Sequence, residues 1–594
     1  MRHARAVLRI AHLKNTACCN VGIFRNPPGI SHPWAASSAQ IIPFIQRCGI
    51  LNIEHHQISG IKYSMTFARM EELMSSASIA ALPWTVGAIY LFTFLWLRWR
   101  SPRGRLPLPP GPRGLPLLGN THQTPANNPW ETYKQWSDVY GPLMTLSLGV
   151  NTTIVISTHE AARELMEKNS TVYSSRPQLV AFNRLSGGLN SSGMEYGKQW
   201  RDHRSLQAAV LRPWMTQRYT ALRDVETKQL LADILDTNDF SSCFKRLVGS
   251  LFMTLAYGKR IHRADDPYIR GMEELVQAKG AAGESVFRGA AQIFELLPIL
   301  QYLPSFLTPW KDICDRICER FNKVFLDGLH DGLSAPTWTW AKEVSQHKLA
   351  HQMSELEVSY TLGTLYEASL TSQQILRIII LVSTLYPEAV SKAQKELDEV
   401  VGVDRLPTAA DAHHLPYINA YIKESLRWRP FAPLGAPRES ISDVEYNGYL
   451  IPRGATVMVN HWALDYNEEK FPEPLVFRPD RWIENPHLPL TTFGFGQRSC
   501  PGRHFAHDTL FMVTARLLWA FHIQTPSPVE VEKMLRNPAH NSFLSPIPDF
   551  EASFTVRDAW RKDLILRQWY NCPKESSEIL GEIEKGLASG ATSP

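Results

Sequence analysis

The sequence predicts a mainly α-helical domain with small β-sheets, preceded by one N-terminal transmembrane helix. Helical hydrophobic patterning dominates from about residue 125 to 560, broken by short β-type stretches near 142–157 and 444–460. Ile79 to Leu97 is a 19-residue run without a charge. A stiff proline-rich segment, Pro107-Leu-Pro-Pro-Gly-Pro112, separates the two.

Composition fits this class. The 594 residues are 44% hydrophobic and 20% charged, which excludes collagen-like, low-complexity and wholly disordered chains. Eight cysteines, at 18, 19, 48, 243, 314, 318, 500 and 572, form no CxxC pair and no zinc-type spacing. A reducing, cytosol-facing compartment suits them better than a secreted one.

The charge is concentrated at one end. Residues 1–69 carry eight Lys/Arg against one acid, Glu54, and the remainder holds 54 basic against 56 acidic residues. The body is therefore not basic, and nothing in it calls for nucleic acid as a partner. The basic extension 1–69 reads as untranslated upstream sequence or a removable leader, with Met70 as the start; an organellar presequence is the alternative.

As a helix at 1.5 Å per residue, residues 79–97 span roughly 28 Å, close to the hydrocarbon thickness of a bilayer. Trp84, Trp96 and Trp99 stand near its ends. Arg98, Arg100, Arg103 and Arg105 follow it, so the positive-inside rule leaves the rest of the chain in the cytosol. The expected organisation is this anchor, a basic and proline-rich hinge over 98–120, a catalytic domain over 121–560 and a C-terminal tail over 561–594.

Of the cysteines, Cys500 has the neighbours that carry chemistry. It lies in Phe493-Gly-Phe-Gly496-Gln-Arg498-Ser-Cys500-Pro-Gly502, ahead of an apolar stretch, Phe505 to Ile523, that reads as a buried helix. A thiolate ligand to iron must stay deprotonated, receive backbone hydrogen bonds and be approachable without side-chain bulk. A position just before a helix N-terminus meets the first two needs, and Gly496 and Gly502 allow the third. Phe493 is placed to keep water off the sulfur, and Arg498 to pair with a haem propionate.

The spacing FxxGxRxCxG resembles the haem-binding loop of the cytochrome P450 superfamily. Glu424-Ser-Leu-Arg427 is similar to that family's ExxR helix, and Phe477-Arg-Pro479-Asp-Arg481 to its FxPxR segment. The resemblance implies that Glu424, Arg427 and Arg481 form a buried charge network that fixes the fold. Trp200-Arg-Asp-His-Arg204 matches the family's WxxxR element, whose outer residues reach the propionates; Arg438 stands where the family places another propionate partner. The similarity runs from the proline hinge to about residue 545 and looks most like fungal membrane-bound members of secondary metabolism.

One element departs from the family pattern. Ser354-Glu-Leu-Glu357 is a capping-box start and Pro387 a stop, bracketing a helix of about thirty residues that crosses the core. Its middle reads Glu367-Ala-Ser-Leu-Thr371-Ser372, where the family has A-G-x-D/E-T. Thr371 or Ser372, depending on a one-residue gap, takes the hydroxyl position, and the acid is missing either way. A hydroxyl is left to organise water for proton delivery; the alternative is that these are core hydroxyls bonding back to their own helix.

Other features carry less. Cys314 and Cys318, four apart, read as helix packing, Gly187–Gly193 as a loop over the substrate pocket, and His504 and His507 as surface residues. No G-x-G-x-x-G fingerprint is present, so electrons must come from another protein. The resemblance implies haem b with Cys500 as axial ligand, and an NADPH-dependent flavoprotein reductase as partner. It also implies a bulky lipophilic terpenoid, polyketide or alkaloid as substrate, oxidised at the endoplasmic-reticulum surface. The alternative, which would explain the missing acid, is a haem-thiolate isomerase, dehydratase or peroxide-using enzyme.

Overall fold

The computed structural model describes residues 106–588, apart from 116–117, 126, 149–150, 289–301, 305–307 and 532–544. The extension 1–69, the segment 79–97 and the first part of the hinge lie outside the described residues. The long helices are α1 (Pro129–Tyr140), α2 (Lys198–Leu211), α3 (Thr220–Asp236), α4 (Phe240–Tyr257), α5 (Pro267–Arg288) and α6 (Trp310–Ser334). They continue as α7 (Glu355–Leu385), α8 (Pro387–Val400), α9 (Pro416–Trp428), α10 (Arg503–Ala520), α11 (Ala559–Asn571) and α12 (Ser576–Ala588).

A four-stranded sheet stands to one side, with β1 (Leu143–Leu148), β2 (Asn151–Ile156), β3 (Arg438–Glu439) and β6 (Thr456–Val459) in the order β1-β2-β6-β3. The β2–β6 pairing is parallel, with Thr153 opposite Thr456, so it joins positions three hundred residues apart. Strands β4 (Val444–Tyr446) and β5 (Tyr449–Ile451) form a hairpin. The proline hinge lies against these strands: Thr145 N donates to Pro110 O and Leu450 N to Pro107 O. A Cβ on Gly111 would stand 2.0 Å from Thr145 O, so only glycine allows this approach.

Helix α7 organises the helical part. Ser354 caps it by accepting from Glu357 N at 3.2 Å, and Pro387, which cannot continue the hydrogen-bond ladder, follows its last residue by two. It packs on α4 and α6, closely enough that a Cβ on Gly363 would meet the Phe325 ring at 2.5 Å. Among the described residues it is the one helix long and apolar enough to cross a membrane, and both its ends are core. Val358–Tyr366 and Ile375–Ser383 are buried, yet no residue from Glu367 to Gln374 is. The longest helix thus has a half-buried window at its centre.

Two expectations about the C-terminal part are corrected. The apolar stretch after the cysteine leaves helical geometry at Ala520: Phe521–Gln524 is strand β7, paired antiparallel with β8 (Ser553–Val556). Its burial alternates, with Phe521 and Ile523 inside and His522 and Gln524 outside, a period of two that overrides the helix reading. Residues 561–588 are no loose tail. Asp558 caps α11, and Leu564, Ile565, Ile579, Leu580 and Ile583 of α11 and α12 are buried in the main core.

Candidate haem-thiolate site

Cys500 sits two residues before Gly502, the N-cap of α10, and its backbone N–H donates to Phe493 O at 2.8 Å, closing the loop on itself. Burial pushes its thiol up. The Gly502 N–H and the guanidinium groups of Arg204 and Arg503 oppose that rise without cancelling it. The sequence reading assigned the thiolate to the helix terminus; here the two guanidinium groups act with it, and a cation at the sulfur would favour the thiolate further. The two glycines also divide their work differently from that reading. Gly502 lies beside the sulfur, where an added Cβ would be 4.0 Å from Sγ. Gly496, at φ +56°, instead allows the loop to approach the π-helical turn Arg163–Lys168, since a Cβ there would meet Met166 O at 2.2 Å.

Around this loop the structure gathers cations. Arg498 donates to the carbonyls of Ser174 (2.6 Å), Ser191 (3.2 Å) and Met194 (2.6 Å), and its guanidinium stacks 4.2 Å from the Trp200 ring centroid. Arg438 donates to Phe495 O at 2.7 Å, and Arg204 to Ser499 O at 2.6 Å. A fourth, Arg176, was not singled out by the sequence. It donates to Ala436 O and Pro437 O at 2.7 and 2.6 Å, carried there by the bridge between Ser175 and Glu439. No motif spacing marks it, because the bridge joins segments far apart in sequence.

These four arginines have only backbone carbonyls as hydrogen-bond acceptors, and among the described residues none has a carboxylate partner. Burial lowers Arg438 to about 10 and Arg498 to about 9, the latter helped by the charges of Arg438 and Arg204. Clustered, desolvated guanidinium groups without an acid call for an anionic guest. Arg176, Arg438, Arg498, Phe493 and Cys500 line one cavity of about 200 Å³. A flat macrocycle with two carboxylates and a central metal has the donor set that this wall lacks: acids for the arginines and a cation for the sulfur. The residues fit a haem.

The same cavity is lined by His461, which leads to a buried polar chain. His461 Nδ1 meets Thr491 Oγ1 at 3.1 Å, and Thr491 donates to Asp465 Oδ1 at 2.9 Å. Asp465 is buried and its Oδ2 has no hydrogen-bond partner. Burial pushes its carboxyl up to about 7, against the pull of Arg427 and Thr491. A carboxyl raised on folding contributes stability below its unfolded pKa and loses it as pH rises through the folded one. The stability carried by this group should therefore fall between about pH 4 and 7, and Asp465→Asn should flatten that slope in thermal melts taken across the range. Parallel melting profiles for the two proteins would contradict this.

Behind the cysteine loop, Glu424 is fully buried and accepts from Arg427 Nε (2.9 Å) and Nη2 (2.8 Å), Arg481 Nε (3.1 Å), Trp482 Nε1 (2.8 Å) and Arg478 N (3.0 Å). Arg427 also donates to Asp465 O, tying the network to the chain above. Thr371 and Ser372 belong to a different place, the half-buried window of α7. The Thr371 hydroxyl donates back to Ala368 O at 2.8 Å, which leaves its lone pairs open. It is half-buried and so is Ser372; neither is core. His504 and His507 are partly exposed, the His507 side chain by 39%. Cys314 packs in the main core, with Cys318 one turn on and less buried.

Comparison with known proteins agrees with this geometry. The cytochrome P450 family model matches residues 109–554. The echilunin cytochrome P450 monooxygenase of Aspergillus ruber is 72% identical over 523 residues, which is 88% of this chain and 98% of that protein. The cytochrome P450 monooxygenase criE of Aspergillus cristatus is 72% identical over 525 residues, 88% of this chain and 99% of the relative. Fumitremorgin C synthase of Aspergillus fumigatus is 40% identical over 515 residues, 84% and 97% of the two chains. With a half-buried loop cysteine, an arginine wall awaiting an anion and likeness over most of its length, the chain belongs to the cytochrome P450 family and is a cytochrome P450 monooxygenase.

Proposed function

We propose that this monooxygenase oxidises a bulky lipophilic intermediate of secondary metabolism, using O2 and electrons passed from NADPH by a separate flavoprotein reductase. In this reading residues 79–97 anchor it in the endoplasmic-reticulum membrane with the catalytic domain in the cytosol. The observation that carries the reading is Cys500 in one cavity with arginines that lack acidic partners. The names of the relatives point to the substrate class, since echilunin and fumitremorgin C are the compounds they refer to.

When bound, haem supplies oxygen activation and transfer to carbon. The chain's own residues do the rest. Cys500 Sγ would hold the iron, with the Gly502 N–H and the Arg204 and Arg503 charges favouring its thiolate. Arg176, Arg204, Arg438 and Arg498, with Trp200, would hold the propionates and orient the ring. Phe493 covers the sulfur side. Thr371 Oγ1, or Ser372 Oγ, accepts from water in the window of α7 and so positions a proton donor, without the carboxylate that the family places beside it.

Reconstitution with an NADPH-dependent flavoprotein reductase tests this. The expected result is NADPH-dependent uptake of O2, with one atom of labelled dioxygen appearing in the product. Product formed under anaerobic conditions, or without the reductase, would instead establish the isomerase, dehydratase or peroxide-using alternative.

A further inference from the structure

Among the side chains of the haem cavity, His461 differs from the arginines: its ring nitrogens can donate or accept. The ring is held in place. Phe495 stacks on it with centroids 5.7 Å and planes 27° apart, Nδ1 meets Thr491 Oγ1 at 3.1 Å, and Thr491 donates to Asp465 Oδ1 at 2.9 Å. The Nε2 edge is kept clear by a glycine, since a Cβ on Gly435 would stand 2.8 Å from Nε2 and from Cδ2. Among the described residues Nε2 has no hydrogen-bond partner, and at the far end Asp465 Oδ2 has none either. The three side chains form a hydrogen-bonded chain with one end in the interior and the other at the cavity.

A hydroxyl has one hydrogen, so a single proton sets the direction of this chain. With Asp465 ionised, Thr491 gives its hydrogen to Oδ1 and must accept from Nδ1–H, which leaves Nε2 bare toward the cavity. One more proton reverses the order. Taken from solvent at Nε2, it lets the Nδ1 hydrogen pass to Thr491 and the Thr491 hydrogen pass to Oδ1; Asp465 becomes neutral and Nε2 becomes a donor. We propose that His461, Thr491 and Asp465 are a one-proton switch that positions a haem carboxylate, holding it through Nε2–H when the extra proton is present and losing that hold when it leaves. The surroundings suit the task. Asp465 faces Arg427, Glu424 and Tyr466, and burial with Glu424 outweighs Arg427 and Thr491, so its carboxyl is pushed up to about 7. His461 faces Arg438 and His159, with Arg176 and Arg498 in the same cavity. Burial, Arg438 and His159 hold the imidazole down at about 4, so the extra proton rests on Asp465 and not on the ring. An anion at Nε2 favours the donor form and draws the proton in. This rests on the reading that the cavity holds haem.

The test uses the full-length haem-loaded protein and follows haem loss to excess apomyoglobin by absorbance, between about pH 6 and 9, on both sides of the Asp465 value of about 7. Over this range, loss from the unaltered protein is expected to quicken about tenfold relative to Asp465→Asn, the factor for one charge-assisted hydrogen bond. The arginines and His159 titrate alike in both proteins, so the difference belongs to the chain. Thr491→Val, which interrupts the chain and keeps the carboxyl, should follow Asp465→Asn. The carboxylate bending mode of the haem in resonance Raman spectra gives a second readout: it should shift with pH in the unaltered protein and stay fixed in His461→Phe. A loss profile parallel to that of Asp465→Asn, or a carboxylate mode that ignores pH in the unaltered protein, would overturn the switch. Should Asp465→Asn fail to load haem, Thr491→Val supplies the reference. An unaltered protein that binds no haem fails the haem-thiolate reading and the switch together, whereas bound haem with pH-independent loss fails the switch alone.

Discussion

Cys500→Ser is expected to abolish the strongly red-shifted Soret band of the reduced, carbon-monoxide-bound protein and to bring turnover to background. The band reports thiolate donation to iron, which an alkoxide or neutral hydroxyl does not reproduce. The substitution is nearly isosteric, and the backbone bond from Cys500 N to Phe493 O does not depend on the side chain. The loop should therefore keep its shape while losing its ligand. Cys314→Ser is the matched control: that thiol lies in the main core and is pushed up to about 11 by burial, so its loss should leave the band intact. A red-shifted band surviving in Cys500→Ser would mean that another residue ligates the metal, and the site described above would be wrong.

Glu424→Ala should be the most destabilising single change outside the cysteine loop. It leaves five hydrogen bonds unmade, from Arg427, Arg481, Trp482 and the Arg478 backbone, and strands two buried guanidinium groups. Removing one partner of a buried ion pair costs about 3–5 kcal/mol. That is a large share of the roughly 5–15 kcal/mol that holds a typical domain folded. Because Arg427 also donates to Asp465 O, and Asp465 binds Thr491 two residues before Phe493, the loss should reach the haem loop. The urea midpoint and the haem content of the purified protein check both effects. Glu424→Ala with an unchanged midpoint would show that the network is dispensable.

Much of the candidate site was legible because the chemistry demands local spacing. The cysteine, its glycines and Phe493 stand within ten residues, and Glu424 and Arg427 within one helical turn. What these residues do was less legible. Gly496 serves a contact with Met166, far away in sequence, and no local pattern states that. Arg176 was invisible for the same reason: an isolated bridge brings it to Pro437, and a bridge leaves no periodicity.

The sequence by itself determined the helical class, the cap and stop of α7, the haem-loop spacing and the Glu424–Arg427 pair, since all of these are written in neighbouring residues. Tertiary structure alone decided three things. It ended α10 at Ala520, where the pairing of Phe521–Gln524 with Ser553–Val556 outweighs helical continuation. It buried α11 and α12 in the main core, because their apolar faces find α3 only after the chain folds back. It placed Lys279, Asn190 and Glu367 together, although 177 positions separate Asn190 from Glu367. Charges that meet across such distances are selected by packing, and packing is a property of the whole chain.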